Sequence, residues 1–234
     1  MIRARRSSSV LLASLLLVAA AAAAQPPESC NLDCVLKKMD AAAASFRSLQ
    51  ADFVWDQYQK VVDETDTQKG TVSYRRAGNA VEMMAEVKSP DQKFVLYKDG
   101  MLQVYQPKID QVMEYSTGGN RGEIESYLVL GFGGSGEDLR KSFDVTYQGD
   151  ETVGSTSTAK LQLVPKSEKL RANFSQIVLW IDVSRGISVQ QKFLQPGGDY
   201  RVAKYSDIRM PAKVGNDTFR LKTSGKTQFV SPRG

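Results

Sequence analysis

Apolar residues repeat every three or four positions over one long stretch of this chain, and every second position through most of the remainder. From Leu32 the stripe Leu32, Val35, Leu36, Met39, Ala43, Phe46 and Leu49 has helical spacing, which predicts one amphipathic helix with a single buried face. At Leu49 the period changes to two: Leu49, Ala51, Phe53 and Trp55 alternate with Gln50, Asp52 and Asp56, interrupted only by Val54. The helix is therefore expected to run almost directly into a strand. One helix can cover only part of a sheet, so the number of strands after it decides the architecture.

The strands are many. Asp63 to Thr67 reads as a polar loop, Gly70 opens a strand over Thr71 to Arg76, and Ala77-Gly78-Asn79 turns the chain back. Val81, Met83, Ala85 and Val87 then alternate with Glu82, Glu86 and Lys88, the pattern of a sheet that is wet on one face. Phe94 to Tyr97 and Met101 to Tyr105 flank the hairpin turn Asp99-Gly100, and Gln111 to Tyr115 comes after Pro107. Further strands are expected at Phe143 to Tyr147, Ala159 to Val164, Phe174 to Val183, Ile187 to Leu194, Tyr200 to Ile208 and Phe219 to Leu221. Between them, Gly122 to Phe143 turns helical again through Ile124, Tyr127 and Leu128, breaks at Gly131-Phe132-Gly133-Gly134-Ser135-Gly136, and resumes from Glu137 to Ser142. These glycines match neither phosphate-binding motif and read as a flexible connector. The class is α+β: one large antiparallel sheet of about eleven strands with an N-terminal helix and a short helical lid. No parallel β-α-β alternation is present, so a doubly wound nucleotide fold is not expected.

A sheet of this size curls, and its concave face needs a filling. The inward candidates are Phe53, Trp55, Met83, Val87, Leu102, Val104, Leu179 and Ile181, with Ile124 and Leu128 from the helical segment. They either form a plain core or line a cavity for an apolar ligand. Pattern alone favours core.

Composition narrows the chemistry. The chain has no histidine, which removes the commonest general base and the imidazole ligands of most catalytic zinc sites, and two cysteines are too few for a Cys-rich one. No cofactor or metal is expected. Carboxylate pairs survive this cut, but Glu82 with Glu86 sits on the polar side of a strand and Asp99 belongs to a turn away from Asp110, so no enzyme activity is expected. Arg3, Arg5 and Arg6 precede an apolar run from Val10 to Ala24 that ends in small residues, which reads as a cleaved secretory signal over 1–24 and leaves 25–234 as a single domain. The signal carries three arginines and no acid, so without it 28 basic residues face 26 acidic ones, +2 in place of +5. That balance gives no support to nucleic-acid binding. Cys30 and Cys34 would meet an oxidising compartment; on a helix they lie one turn apart on one face, which allows a local disulfide. A redox-active pair is the other reading, but it lacks C-x-x-C spacing.

Phe94-Val95-Leu96-Tyr97-Lys98-Asp99-Gly100, followed by Leu102-Gln103-Val104-Tyr105-Gln106-Pro107 and Gln111-Val112, resembles the periplasmic lipoprotein carrier family, LolA. Leu49-x-Ala51-x-Phe53, Gly70 six residues before Arg76, and Leu179-Trp180-Ile181-Asp182 extend the resemblance across most of the chain after the signal. The resemblance implies an unclosed β-barrel lidded by helices, in the periplasm of a Gram-negative-type bacterium. It also implies a monomer that carries acylated lipoproteins from an inner-membrane transporter to an outer-membrane acceptor. A related lipid-binding or lipoprotein-sensing module of the same fold is the alternative. The physical need is that each CH₂ kept from water is worth about 0.8 kcal/mol, so an acylated protein cannot cross water uncovered. The same resemblance implies that Arg76 is a latch for the lid. Its other reading is a solvated strand-end charge, and Ala77 stands where the family has proline. Phe219-Arg220-Leu221-Lys222-Thr223 also departs from the family in lacking a proline.

Overall fold

A computed structural model describes residues 30–78, 80–118, 125 and 128–231; the expected signal at 1–24, Ile124 and Tyr127 lie outside the described residues. Helix α1 (Leu32–Ser45) starts where the periodicity starts, because the Asn31 side chain accepts a hydrogen bond from the Cys34 N–H at 3.0 Å and so caps the first turn. Cys30 and Cys34 are joined by a disulfide across this cap. Val35, Leu36, Met39 and Ala42 form the buried face, and Phe46, fully buried, comes next as the C-cap. Each large side chain of that face contributes about 1.5–3 kcal/mol by leaving water.

Among the described residues, twelve strands come after the helix: β1 (Ser48–Gln59), β2 (Glu64–Ala77), β3 (Ala80–Ser89), β4 (Lys93–Lys98), β5 (Met101–Gln106), β6 (Gln111–Ser116), β7 (Phe143–Val153), β8 (Thr156–Pro165), β9 (Gln176–Asp182), β10 (Ile187–Leu194), β11 (Tyr200–Arg209) and β12 (Gln228–Val230). They make one sheet in the order β12-β6-β5-β4-β3-β2-β1-β11-β10-β9-β8-β7. Every pairing is antiparallel except β12 on β6. β1 is the seam between two meanders, and β7 and β12 at the two edges do not meet, so the expected unclosed sheet is the one found. Among the described residues, two further short helices, α2 (Gly136–Ser142) and α3 (Glu168–Arg171), add to the cover.

The curl has local causes. Register shifts interrupt β1 against β11 at Gln50/Asp52 and β2 against β3 at Lys69/Gly70, and such bulges sharpen the twist. At Gly70 a Cβ would lie 1.9 Å from the Glu86 carbonyl oxygen, so only glycine fits, and the Phe53 ring on the paired position of β1 covers it. The concave face then holds two cores. One gathers Phe46, Leu49, Ala51, Phe53, Val72 and Tyr74 from the β1–β4 side, and the other packs Val35, Leu36 and Met39 of α1 onto Leu161, Leu163, Ile177, Leu179 and Ile181.

Three expectations are corrected. Residues 64–67, read as loop, extend β2, because the outer hairpin is wet on both faces and shows no period; its rungs are polar, Thr67 to Asp56 at 2.8 Å and Tyr58 to Asp63 at 2.8 Å. Phe219 to Leu221, read as a strand, instead comes at the end of a 3₁₀ turn (Asn216–Phe219), and a twelfth strand lies beyond it at Gln228–Val230. The outer face of β3 is not wet along its length. Phe219, 1% exposed, packs on Met84 and Leu96 there, and beneath this C-terminal segment Glu82 is buried in ion pairs with Arg75 and Lys98.

Candidate functional site

Residues 128–134 cross the concave face as a lid. The Val129 carbonyl accepts from the N–H groups of Phe132, Gly133 and Gly134 at 2.9–3.0 Å, which winds the segment into a tight turn. Three of its other carbonyls are held by the sheet. Gln191 Nε2 donates to Leu130 at 2.6 Å, the Ser188 N–H donates to Gly131 at 2.6 Å, and Arg76 Nη2 donates to Gly133 at 3.3 Å. Phe132, 2% exposed, is wedged between Tyr74, at 5.6 Å between ring centroids, and Tyr205, edge-on at 4.7 Å. The stretch expected to be a flexible connector is thus tied to the sheet at three carbonyls in the closed arrangement. Gly131 has φ +79° and a Cβ there would lie 2.6 Å from Ser188 Cβ, while one on Gly133 would lie 2.9 Å from the Phe46 ring. These glycines serve close fit.

Under the lid the curled sheet forms a half-open cavity of about 410 Å³, within the range of small-molecule sites. Its walls come from both halves of the sheet: Trp55 on β1, Tyr74 on β2, Met83 on β3, Val95 on β4, Leu102 and Val104 on β5, Phe193 on β10, and Ala203 and Tyr205 on β11. Leu128 closes the lid side. On the far side of the lid lies a second cleft of about 540 Å³, between Arg76, Val81 and Gly133 on one flank and α2 and α3 on the other. Its lining mixes Lys141 and Lys166 with Glu125 and Asp138, so it carries charges of both signs.

The residues singled out from sequence separate into three groups. Trp55, Met83, Leu102, Val104 and Leu128 line the cavity together. Phe53 and Val87 lie in the packed core beside it, Phe53 stacked on Trp55 at 4.1 Å. Leu179 and Ile181 do not reach it. Both are fully buried in the second core, where α1 and Leu130 cover β8 and β9, so the inward side of those strands is solid packing. Ile124 lies outside the described residues. Arg76 touches the lid through Gly133 and sits 5.8 Å over the Phe46 ring. Sequence reasoning missed Gln191, 4% exposed, whose Oε1 also accepts a hydrogen bond from the Tyr205 hydroxyl at 3.2 Å. The signal was a polar side chain on the inward face, two residues before Phe193, which also lines the cavity.

Electrostatically the cavity is asymmetric. Arg201 of β11 and Lys93 of β4 both line it, and among the described residues no carboxylate pairs with either. Burial lowers the Arg201 pKa, with Tyr205 opposing; burial and then the Arg201 charge lower that of Lys93. Burial also holds the hydroxyls of Tyr74 and Tyr205 in their protonated form by raising their pKa. The carboxylates weighed from sequence are occupied elsewhere: Glu82 in its ion pairs, and Asp110 as acceptor for Ser224, Thr227 and Tyr105 side chains. Among the described residues no group of three or more His, Cys, Asp or Glu is arranged to hold a metal, and no helix is long and apolar enough to cross a membrane.

No family model and no curated protein matches this sequence. Solved structures do share its fold. MucB superposes with a TM-score of 0.53 at 14% identity over 84% of this chain, which spans 64% of the MucB chain. MucB in complex with MucA(peri) gives 0.50 at 15% identity, covering 86% of this chain and 62% of that one. An uncharacterised conserved protein from Thermus thermophilus gives 0.53 at 12% identity, covering 85% of this chain and 97% of that one. At these identities the likeness is one of fold. The open curved sheet with a helical cover expected from the sequence is the architecture of this chain, and it is shared with these structures.

Proposed function

We propose that the chain is an exported, periplasmic binding protein that shelters acyl chains between its curved sheet and its lid. The observation that carries this reading is the lidded cavity itself: walls from both halves of the sheet that are apolar for the larger part, covered on one side by a segment held through three carbonyls rather than by continuous backbone structure. Displacing Phe132 and its neighbours would join the cavity to the cleft beyond Arg76, and a chain buried there would gain about 0.8 kcal/mol per CH₂. The lid carbonyls give release a small number of bonds to break, with Arg76 as the latch reachable from outside. The reading assigns no catalysis to the cavity, whose lining holds no carboxylate among the described residues.

Within this reading the cargo is an acylated lipoprotein, handed from an inner-membrane transporter to an outer-membrane acceptor. A second reading has its own support: MucB, which shares the fold, is found in complex with MucA(peri), and in this reading the present chain would report its ligand state to a protein partner. Native mass spectrometry of the protein purified from the exporting cell tests both. A mass increment that resolves into acyl chains or acylated protein is expected. Co-purification of one unacylated protein in fixed ratio selects the sensing reading, and a ligand that carries no acyl chain removes both.

A further inference from the structure

The acyl-binding reading leaves one feature of the cavity unused. Arg201 comes from β11 and Lys93 from β4, with β1, β2 and β3 between them in the sheet, yet the curl brings both onto one cavity whose remaining side chains are neutral. Lys93 is half-buried and Arg201 reaches solvent, but two like charges on one wall still repel, and each makes the other harder to keep charged. The usual remedy is a carboxylate, as in the Lys204–Asp56 pair at 3.1 Å on the opposite face of β11 and β1. Here no acid fills that role among the described residues, and the polar neighbours are the neutral amides of Gln57 and Gln68. The Arg201 guanidinium is instead held 5.8 Å over the Trp55 ring, which fixes it at the cavity without neutralising it.

We propose that Arg201 and Lys93 form the anion-reading end of the cavity, so that it selects amphiphiles whose acyl chain lies along Trp55, Leu102 and Val104 and whose headgroup is a phosphate or carboxylate. The inference rests on the acyl-binding reading and adds a headgroup class to it. A planar guanidinium matches the paired oxygens of such a headgroup, while the lysine supplies a point charge from the opposite wall. An anion between them relieves the repulsion that the protein alone leaves in place, and a neutral headgroup cannot.

The test uses three probes of one chain length, hexadecyl phosphate, palmitate and hexadecanol, with inorganic phosphate as competitor, each titrated against the purified protein and against Arg201→Gln and Lys93→Gln. Both anionic amphiphiles are expected to bind about tenfold or more tightly than the alcohol, which is about 1.4 kcal/mol or more. Each variant should lose most of that preference while binding hexadecanol as the parent does, which also shows that its cavity is intact. Inorganic phosphate at millimolar concentration should not displace the amphiphile. Equal binding of anion and alcohol to the parent protein would overturn this inference and leave the acyl cavity standing. Binding of none of the three amphiphiles would overturn the acyl reading itself. Phosphate alone competing as strongly as hexadecyl phosphate would replace the lipid headgroup by a free anion.

Discussion

Gln191→Leu should open the lid more than any change at Arg76. Gln191 is buried, and its amide joins the Leu130 carbonyl at 2.6 Å to the Tyr205 hydroxyl at 3.2 Å. Leucine has nearly the same volume, so the packing term is small and the loss is that of two partners left unpaired in the interior. At about 1–3 kcal/mol for each unsatisfied group, and with the Tyr205 hydroxyl free to turn, the closed lid should lose about 2–3 kcal/mol. That raises the open population roughly thirtyfold or more. Arg76 is exposed, its bond to Gly133 is 3.3 Å long and its contact with Phe46 is 5.8 Å, so Arg76→Leu should cost about 1 kcal/mol, roughly fivefold. The reporter is the Ser188 amide, whose hydrogen bond ends on the lid carbonyl of Gly131. Its hydrogen exchange should accelerate by these factors while amides of β8 and β9 keep their protection. Unchanged exchange at Ser188 in Gln191→Leu, or an equal acceleration throughout the sheet, would refute the claim that this bond holds a lid that opens as a unit.

Gly131→Ala places a Cβ 2.6 Å from Ser188 on a backbone at φ +79°, so it should displace the lid and speed ligand uptake, read in a stopped-flow binding trace. Phe219→Ala empties the anchor of the C-terminal segment and should cost about 3–5 kcal/mol, seen as a lowered Tm and faster tryptic cleavage at Arg220 and Lys222. Hydroxyls of Thr227 and Ser224 lower the Asp110 pKa, so its hold on that segment is complete above the ordinary carboxylate range and is lost as the pH falls through the lowered value. Cleavage after Lys222 or Lys226, by a protease active in acid, should accelerate in that window and not in Asp110→Asn.

Much of the frame was legible because each element satisfied a local rule. Asn31 caps the helix where the stripe begins, and the period changes at Leu49, one residue into the first strand. The two halves of the candidate site were not equally legible. Met83, Leu102 and Val104 were correctly set on the concave face by alternation, which is a statement about one strand and its neighbours. The same alternation put Leu179 and Ile181 inward, and they are inward, but what covers them is α1, a long-range fact that no period encodes. Glycines at 131 and 133 carried the opposite meaning from their usual one, since fit to Ser188 and Phe46 is invisible until the partners are known. Glu82 looked solvated because its cover comes from residues more than a hundred positions later.

Trp55 offers the most direct measurement of the central claim, because the chain has two tryptophans and they sit on opposite sides of the sheet. Trp55 lines the cavity, whereas Trp180 packs with Val178 and Val189 on the outer face. In a Trp180→Phe protein the emission comes from Trp55 alone. Titration with a fatty acid brominated along its chain should quench that emission saturably, with the unbrominated acid competing. Emission from Trp55 that stays unchanged while the brominated chain is bound would place the ligand elsewhere and contradict the account.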